Sequence, residues 1–170
     1  VKATFTNIKN SYTVKYDLAG GLVDGGEIAP KTVKWEDNHL YDITKIPEKT
    51  AATFTGWKYA GKDVKTSDTY GSLAENKTLK EITLVAQYET RTYTVKYDLD
   101  GGNIAGAETI ADKTVSYGER NLLPQGTAVK DGYVLTGWTY GEKVATNDNT
   151  YASLEGNHDI SSITLKENWE

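Results

Sequence analysis

The chain has 170 residues, a net charge of −5 and a hydrophobic content of 38%, with 12 Tyr and 4 Trp but only 2 Phe and no Cys or Met. The acidic balance argues against a nucleic-acid or anionic-membrane binder, which needs a basic footprint. The lack of Cys excludes disulfides, thiol chemistry and zinc ribbons, and the short apolar runs exclude membrane insertion of this segment by a helix.

Val1, Ala3 and Phe5 alternate with Lys2 and Thr4. This predicts residues 1–11 to be the end of a preceding repeat plus a linker. Next comes Tyr12-Thr13-Val14-Lys15-Tyr16-Asp17-Leu18-Ala19-Gly20-Gly21, which returns 81 residues later as Tyr93-Thr94-Val95-Lys96-Tyr97-Asp98-Leu99-Asp100-Gly101-Gly102. Tyr, Val, Tyr and Leu share one face, and Thr, Lys and Asp share the other. That period-2 pattern predicts a half-buried strand ended by a Gly-Gly turn. Asp17 and Asp98 are expected to accept backbone N–H bonds in that turn.

The rest of each unit keeps register. Lys31-Thr32-Val33 matches Lys113-Thr114-Val115 as a second strand, and Thr55-Gly56-Trp57-Lys58-Tyr59 matches Thr136-Gly137-Trp138-Thr139-Tyr140 as a third. Thr69-Tyr70 and Ser72-Leu73 match Thr150-Tyr151 and Ser153-Leu154. Ile82-Thr83-Leu84 and Ile163-Thr164-Leu165 open the closing strands, which alternate Leu84, Ala86, Tyr88 and Leu165, Glu167, Trp169. The predicted organisation is repeat domain 1 over 12–89, a linker at 90–92, and repeat domain 2 over 93–170. The fold class is mainly β, α+β at most. Asp37–Ile46 is the one candidate helix in the middle of a unit, with Asp37 as N-cap and Leu40, Ile43 and Ile46 at 3-residue spacing. Its counterpart at 118–132 carries Pro124, Gly126 and Gly132 and reads as loop.

This ordered set resembles the Listeria–Bacteroides repeat, the B-repeat of bacterial internalins: Tyr-Thr-Val-x-Tyr-Asp, Gly-Gly, a central Gly-Trp, and a closing Ile-Thr-Leu strand with a terminal aromatic. The resemblance spans both units. It implies tandem small β-grasp-like (ubiquitin-like) domains on secreted or wall-attached bacterial proteins, in stalks and adhesins. Family units usually close on Leu-x-Ala-x-Trp; here the first unit has Tyr88, and the second has Glu167 where Ala86 sits.

No catalytic residues, metal ligands or cofactors are expected. His39 and His158 do not recur between units and sit in polar turns. With only these two groups titrating near neutrality, no pH-linked change is expected between pH 6 and 8. Asn147-Asp148-Asn149 lacks the spaced oxygens, Gly and terminal Glu of a calcium loop. Gly20-Gly21 and Gly101-Gly102 lack the spacing of a phosphate-binding turn. Trp57, Tyr59, Trp138 and Tyr140 are the only candidate ligand-binding residues. They would form a sugar platform if exposed, but large aromatics are the main bulk available to fill these cores, which favours burial. Gly56 and Gly137 fit either a bulge or a ring laid over bare backbone. The function expected is a non-enzymatic stalk or spacer in an extracellular, surface-bound or secreted protein. It would be monomeric, with a host or matrix protein or a glycan as the candidate partner. The alternative is a carbohydrate-binding module.

Overall fold

The computed structural model describes residues 10–170; the strand expected at Val1–Phe5 lies outside the described residues. The chain divides into two compact units, the first ending at Glu89 and the second beginning at Thr90.

The first unit is built on β1 (Tyr12–Asp17), β2 (Lys31–Val33), β3 (Ala52–Tyr59), β4 (Lys62–Val64), the one-turn helix α1 (Tyr70–Ala74) and β5 (Glu81–Thr90). Its sheet runs in the order β2-β1-β5-β3-β4. The first and last strands are neighbours and run parallel, from Thr13 opposite Glu81 to Asp17 opposite Val85. β2 is antiparallel to β1, and β4 to β3. Period-2 alternation turns Tyr12 and Val14 on β1, and Ile82, Leu84 and Ala86 on β5, into one face. Tyr70 from α1 and Leu40 from the long middle loop cover that face, and all of these side chains are buried.

The second unit repeats this plan. Its elements are β6 (Thr92–Asp98), β7 (Asn103–Ile104), β8 (Lys113–Ser116), β9 (Ala128–Val129), β10 (Leu135–Tyr140), β11 (Lys143–Ala145), α2 (Tyr151–Leu154) and β12 (Ser162–Trp169). The main sheet is ordered β11-β10-β12-β6-β8, with β6 and β12 parallel. Each unit is therefore a mainly β structure with a mixed five-stranded sheet.

Both helices start alike. Thr69 and Thr150 accept from the backbone N–H of Ser72 and Ser153, and each serine hydroxyl reaches back to the cap's own N–H. This reciprocal pair satisfies two donors that the helix leaves open.

Two expectations change. Asp37–Ile46 is not helical. Asp37 instead accepts from the Lys34 backbone N–H at 2.8 Å, His39 takes a φ of 53°, and Asp42 accepts from both the N–H and hydroxyl of Thr44. These local bonds outcompete a helical turn. Of the three spaced apolar residues only Leu40 is buried; Ile43 and Ile46 are exposed. Next, the segment at 118–132 is not all loop, because Ala128–Val129 pairs with Asn103–Ile104 as a small second ribbon. The first unit has a single bridge there, Leu22 with Glu48. Within the segment expected as linker, Thr90 ends β5 and Thr92 begins β6.

Candidate functional site

Of the four candidate aromatics, the two tryptophans are buried and the two tyrosines are half-buried. Trp57 is 2% exposed and Trp138 7%. Trp57 packs edge-on to Tyr16 at 5.5 Å and Phe54 at 5.6 Å, and Trp138 packs edge-on to Tyr97 at 5.9 Å. A sugar ring needs an open aromatic face, and neither tryptophan offers one. Tyr59 and Tyr140 are half-buried, and the Tyr140 hydroxyl donates to Glu155. The glycines before each tryptophan have φ values of 144° and 142°, and a side chain at either would meet nothing within 4 Å. They are present for backbone conformation, not for a ring laid over them. At Gly137 the strand register slips, as in a bulge.

The tyrosines act as struts from core to loop. Tyr16 donates its hydroxyl to the Leu40 carbonyl at 2.5 Å, and Tyr97 to that of Leu122 at 2.7 Å. Tyr70 and Tyr151 donate to Leu79 and Ile160 at 3.0 and 2.8 Å. Burial pushes the hydroxyls of Tyr16, Tyr70, Tyr97 and Tyr151 up to about 12, so all four remain donors at physiological pH.

A second repeated constellation is visible in the sequence only in part, through the turn bonds expected of Asp17 and Asp98. It sits over the Gly-Gly turn. Asp17 and Asp98 accept from the N–H groups two residues on, at 2.8 and 2.9 Å. The first glycine of each pair has a φ near +83°, which only glycine adopts easily. The second, Gly21 or Gly102, lies directly under the aromatic that closes the unit, where a Cβ would collide with the Tyr88 or Trp169 ring. Tyr88 donates to the Leu18 carbonyl at 2.8 Å, and Trp169 Nε1 to that of Leu99 at 3.3 Å. Lys49 and Lys130 complete the latch. Each donates Nζ to a turn carbonyl, of Ala19 at 2.8 Å and Asp100 at 2.7 Å, and lies over the closing ring.

His39 turns a loop: its carbonyl accepts from Lys31, as Asn121 accepts from Lys113 in the second unit, both at 2.6 Å. His158 lies 3.3 Å from Asp159, whose carboxyl is held low by the hydrogen bond from Arg91. Asn149 accepts from Thr146 in a turn of its own. Among the described residues no cluster of three or more His, Asp or Glu could hold a metal, and no helix is long and apolar enough to cross a membrane.

One buried acid bears on the expected lack of pH response. Glu167 is fully buried, and neither carboxylate oxygen has a hydrogen-bond partner. Burial, and next the nearby charges of Asp98 and Asp100, push its carboxyl up to about 7. Glu167 is thus a carboxyl whose surroundings favour the protonated form near neutrality. The alternation Ile163, Leu165, Glu167 had already placed it on the inner face.

The shared framework agrees with two comparisons. The model of the Listeria-Bacteroides repeat domain matches residues 12–87 and again 93–165. Internalin H of Listeria monocytogenes (serovar 1/2a) is 32% identical over 160 residues, covering 93% of this chain. The chain spans about a quarter of the length of that relative. With both units matched along nearly their whole length, the chain belongs to the Listeria–Bacteroides repeat family, as two tandem copies.

Proposed function

We propose that the two units form a non-enzymatic, load-bearing spacer in a bacterial cell-surface or secreted protein, each unit being a β-grasp-like domain. One observation carries this reading: in each unit the first and last strands are parallel neighbours. The chain enters the first unit at Tyr12 and leaves β5 at Thr90, beyond the opposite end of the paired stretch. Tension on the two ends therefore slides β1 and β5 past each other along their own axes. The ladder bonds between them are loaded together, whereas peeling would break them one at a time. The second unit has the same geometry between β6 and β12.

Family membership and the likeness to an internalin support the placement on a surface or secreted protein. A host or matrix protein or a glycan is the natural class of ligand for the assembly that such a spacer presents, and the segment itself acts as a monomer. The carbohydrate-binding alternative is disfavoured because Trp57 and Trp138 are buried.

Stretching single molecules of the full chain through its ends tests the reading. Two separate unfolding steps are expected, each releasing about 3.3–3.6 Å of contour for every residue freed. Gradual extension without discrete steps would contradict it. Specific glycan binding on an array, kept by a tyrosine variant and lost in a tryptophan variant that still folds, would replace it with the carbohydrate module.

A further inference from the structure

The closing strand of the second unit carries an acid where the first unit has Ala86, which is also buried. Glu167 lies on the inner face of β12 with Ile163 and Leu165, opposite Trp138 on β10. Its carboxyl sits beneath the Leu99–Gly102 turn: a Cβ at Gly102 would be 3.1 Å from Oε2. The side chain is 0% exposed, and both oxygens are without a hydrogen-bond partner.

The charged groups around it do not neutralise it. From the end of β6 comes Asp98, whose carboxylate already accepts from the Asp100 backbone. From the turn comes Asp100, paired at 3.0 Å with Lys166, the residue before Glu167 on β12. From the loop after β9 comes Lys130, which donates to the Asp100 carbonyl and covers the Trp169 ring. β10 contributes the uncharged Trp138. The lysines therefore serve the turn, and the acids add like charge. A carboxylate buried here has no protein donor or cation paired with it, while a neutral carboxyl carries far less desolvation cost.

We propose that Glu167 is a proton-operated lock peculiar to the second unit: protonated, it completes the core under the turn latch, and ionised, it loosens β12 and the turn. The first unit has no counterpart and does not respond.

The sign follows from linkage. The folded carboxyl is raised from 4.5 to about 7, so the native state holds a proton that the unfolded chain releases. Its contribution is fully present below pH ~4.5, falls as pH rises, and is lost once pH passes through about 7. Between those limits the opening equilibrium of the second unit should rise about tenfold per pH unit.

Amide hydrogen exchange on the full chain from pH 5 to 8, corrected for intrinsic rates, reads both units in one sample. The β6 and β12 amides should open about tenfold more per pH unit up to about pH 7 and then level off, relative to β1 and β5. Glu167→Gln, which mimics the neutral acid, should remove that difference. The same slope in the Gln variant, or in both units, would overturn the proposal. A carbon NMR titration of the Glu167 carboxyl in the unmodified chain gives an answer that does not depend on the variant folding. A midpoint near 7 supports the lock, and one near 4.5 overturns it.

Discussion

The two units are the same sheet with differently fitted interiors, and the fits change in matched sets. In the first unit Trp35 lies against Gly71 in α1, where a Cβ would clash with the indole. In the second the smaller Tyr117 stands in place of the tryptophan, and Ala152 occupies the glycine's place. Tyr117 still packs at a tilt against Tyr93 at 5.4 Å, as Trp35 does against Tyr12 at 5.4 Å. A ring and the residue beneath it have traded volume, so packing is kept although both side chains differ. At the other end of the sheet the exchange is not conservative. Ala86 with Tyr88 becomes Glu167 with Trp169, and a carboxyl enters the core. The comparison teaches that the same strand pairing accommodates both a volume exchange and the replacement of a buried Ala by an ionisable Glu.

The comparison can be broken most severely at the shared tryptophan. Trp57→Ala or Trp138→Ala should each cost ~3–5 kcal/mol, because the site is enclosed and cannot collapse around the void. A unit of this size has a total stability of only ~4–8 kcal/mol. The altered unit should therefore lose most of its cooperative transition in urea, followed by circular dichroism, while the other unit keeps its own.

The turn latch comes next. Gly21→Ala and Gly102→Ala put a methyl into the closing aromatic and should cost ~1–3 kcal/mol by the same measurement. Gly20→Ala, whose Cβ would meet only the end of Lys49, should be milder, about 1 kcal/mol from its positive φ.

The traded pair sharpens the comparison further. Gly71→Ala alone should destabilise the first unit by ~1–3 kcal/mol, and adding Trp35→Tyr should recover part of the loss. Additive losses in that double-mutant cycle would show that the two positions do not share one volume. The helix caps give an effect of similar size to Gly20→Ala: Thr69→Ala or Thr150→Ala should cost about 1 kcal/mol.

Much of this architecture is legible in the sequence because strands have a short period. Tyr12-Val14 and Ile82-Leu84-Ala86 show their inner faces directly, and the 81-residue repeat doubles the signal. The misreadings arise where local bonds or distant partners decide. Leu40, Ile43 and Ile46 have helical spacing, yet the side chains of Asp37 and Asp42 bond to the backbone and fix turns instead. The latch joins Gly21, Lys49 and Tyr88, which no local window contains. The glycine's role becomes visible only with the ring above it. Glu167 is the opposite case. Its inward position was written in the alternation of β12, but a carboxylate on an inner face can be read as an error in register until its burial is seen.

The central claim is that each unit resists load because its terminal strands are paired in parallel. The direct test compares pulling directions in the same chain. Force applied through residues 12 and 90 shears β1 against β5; force applied through residues 12 and 33 peels β2 from β1, since Tyr12 and Val33 are cross-strand partners. The account predicts a markedly higher rupture force in the first geometry, with a sharp single step for the unit. Equal forces in the two directions would contradict it.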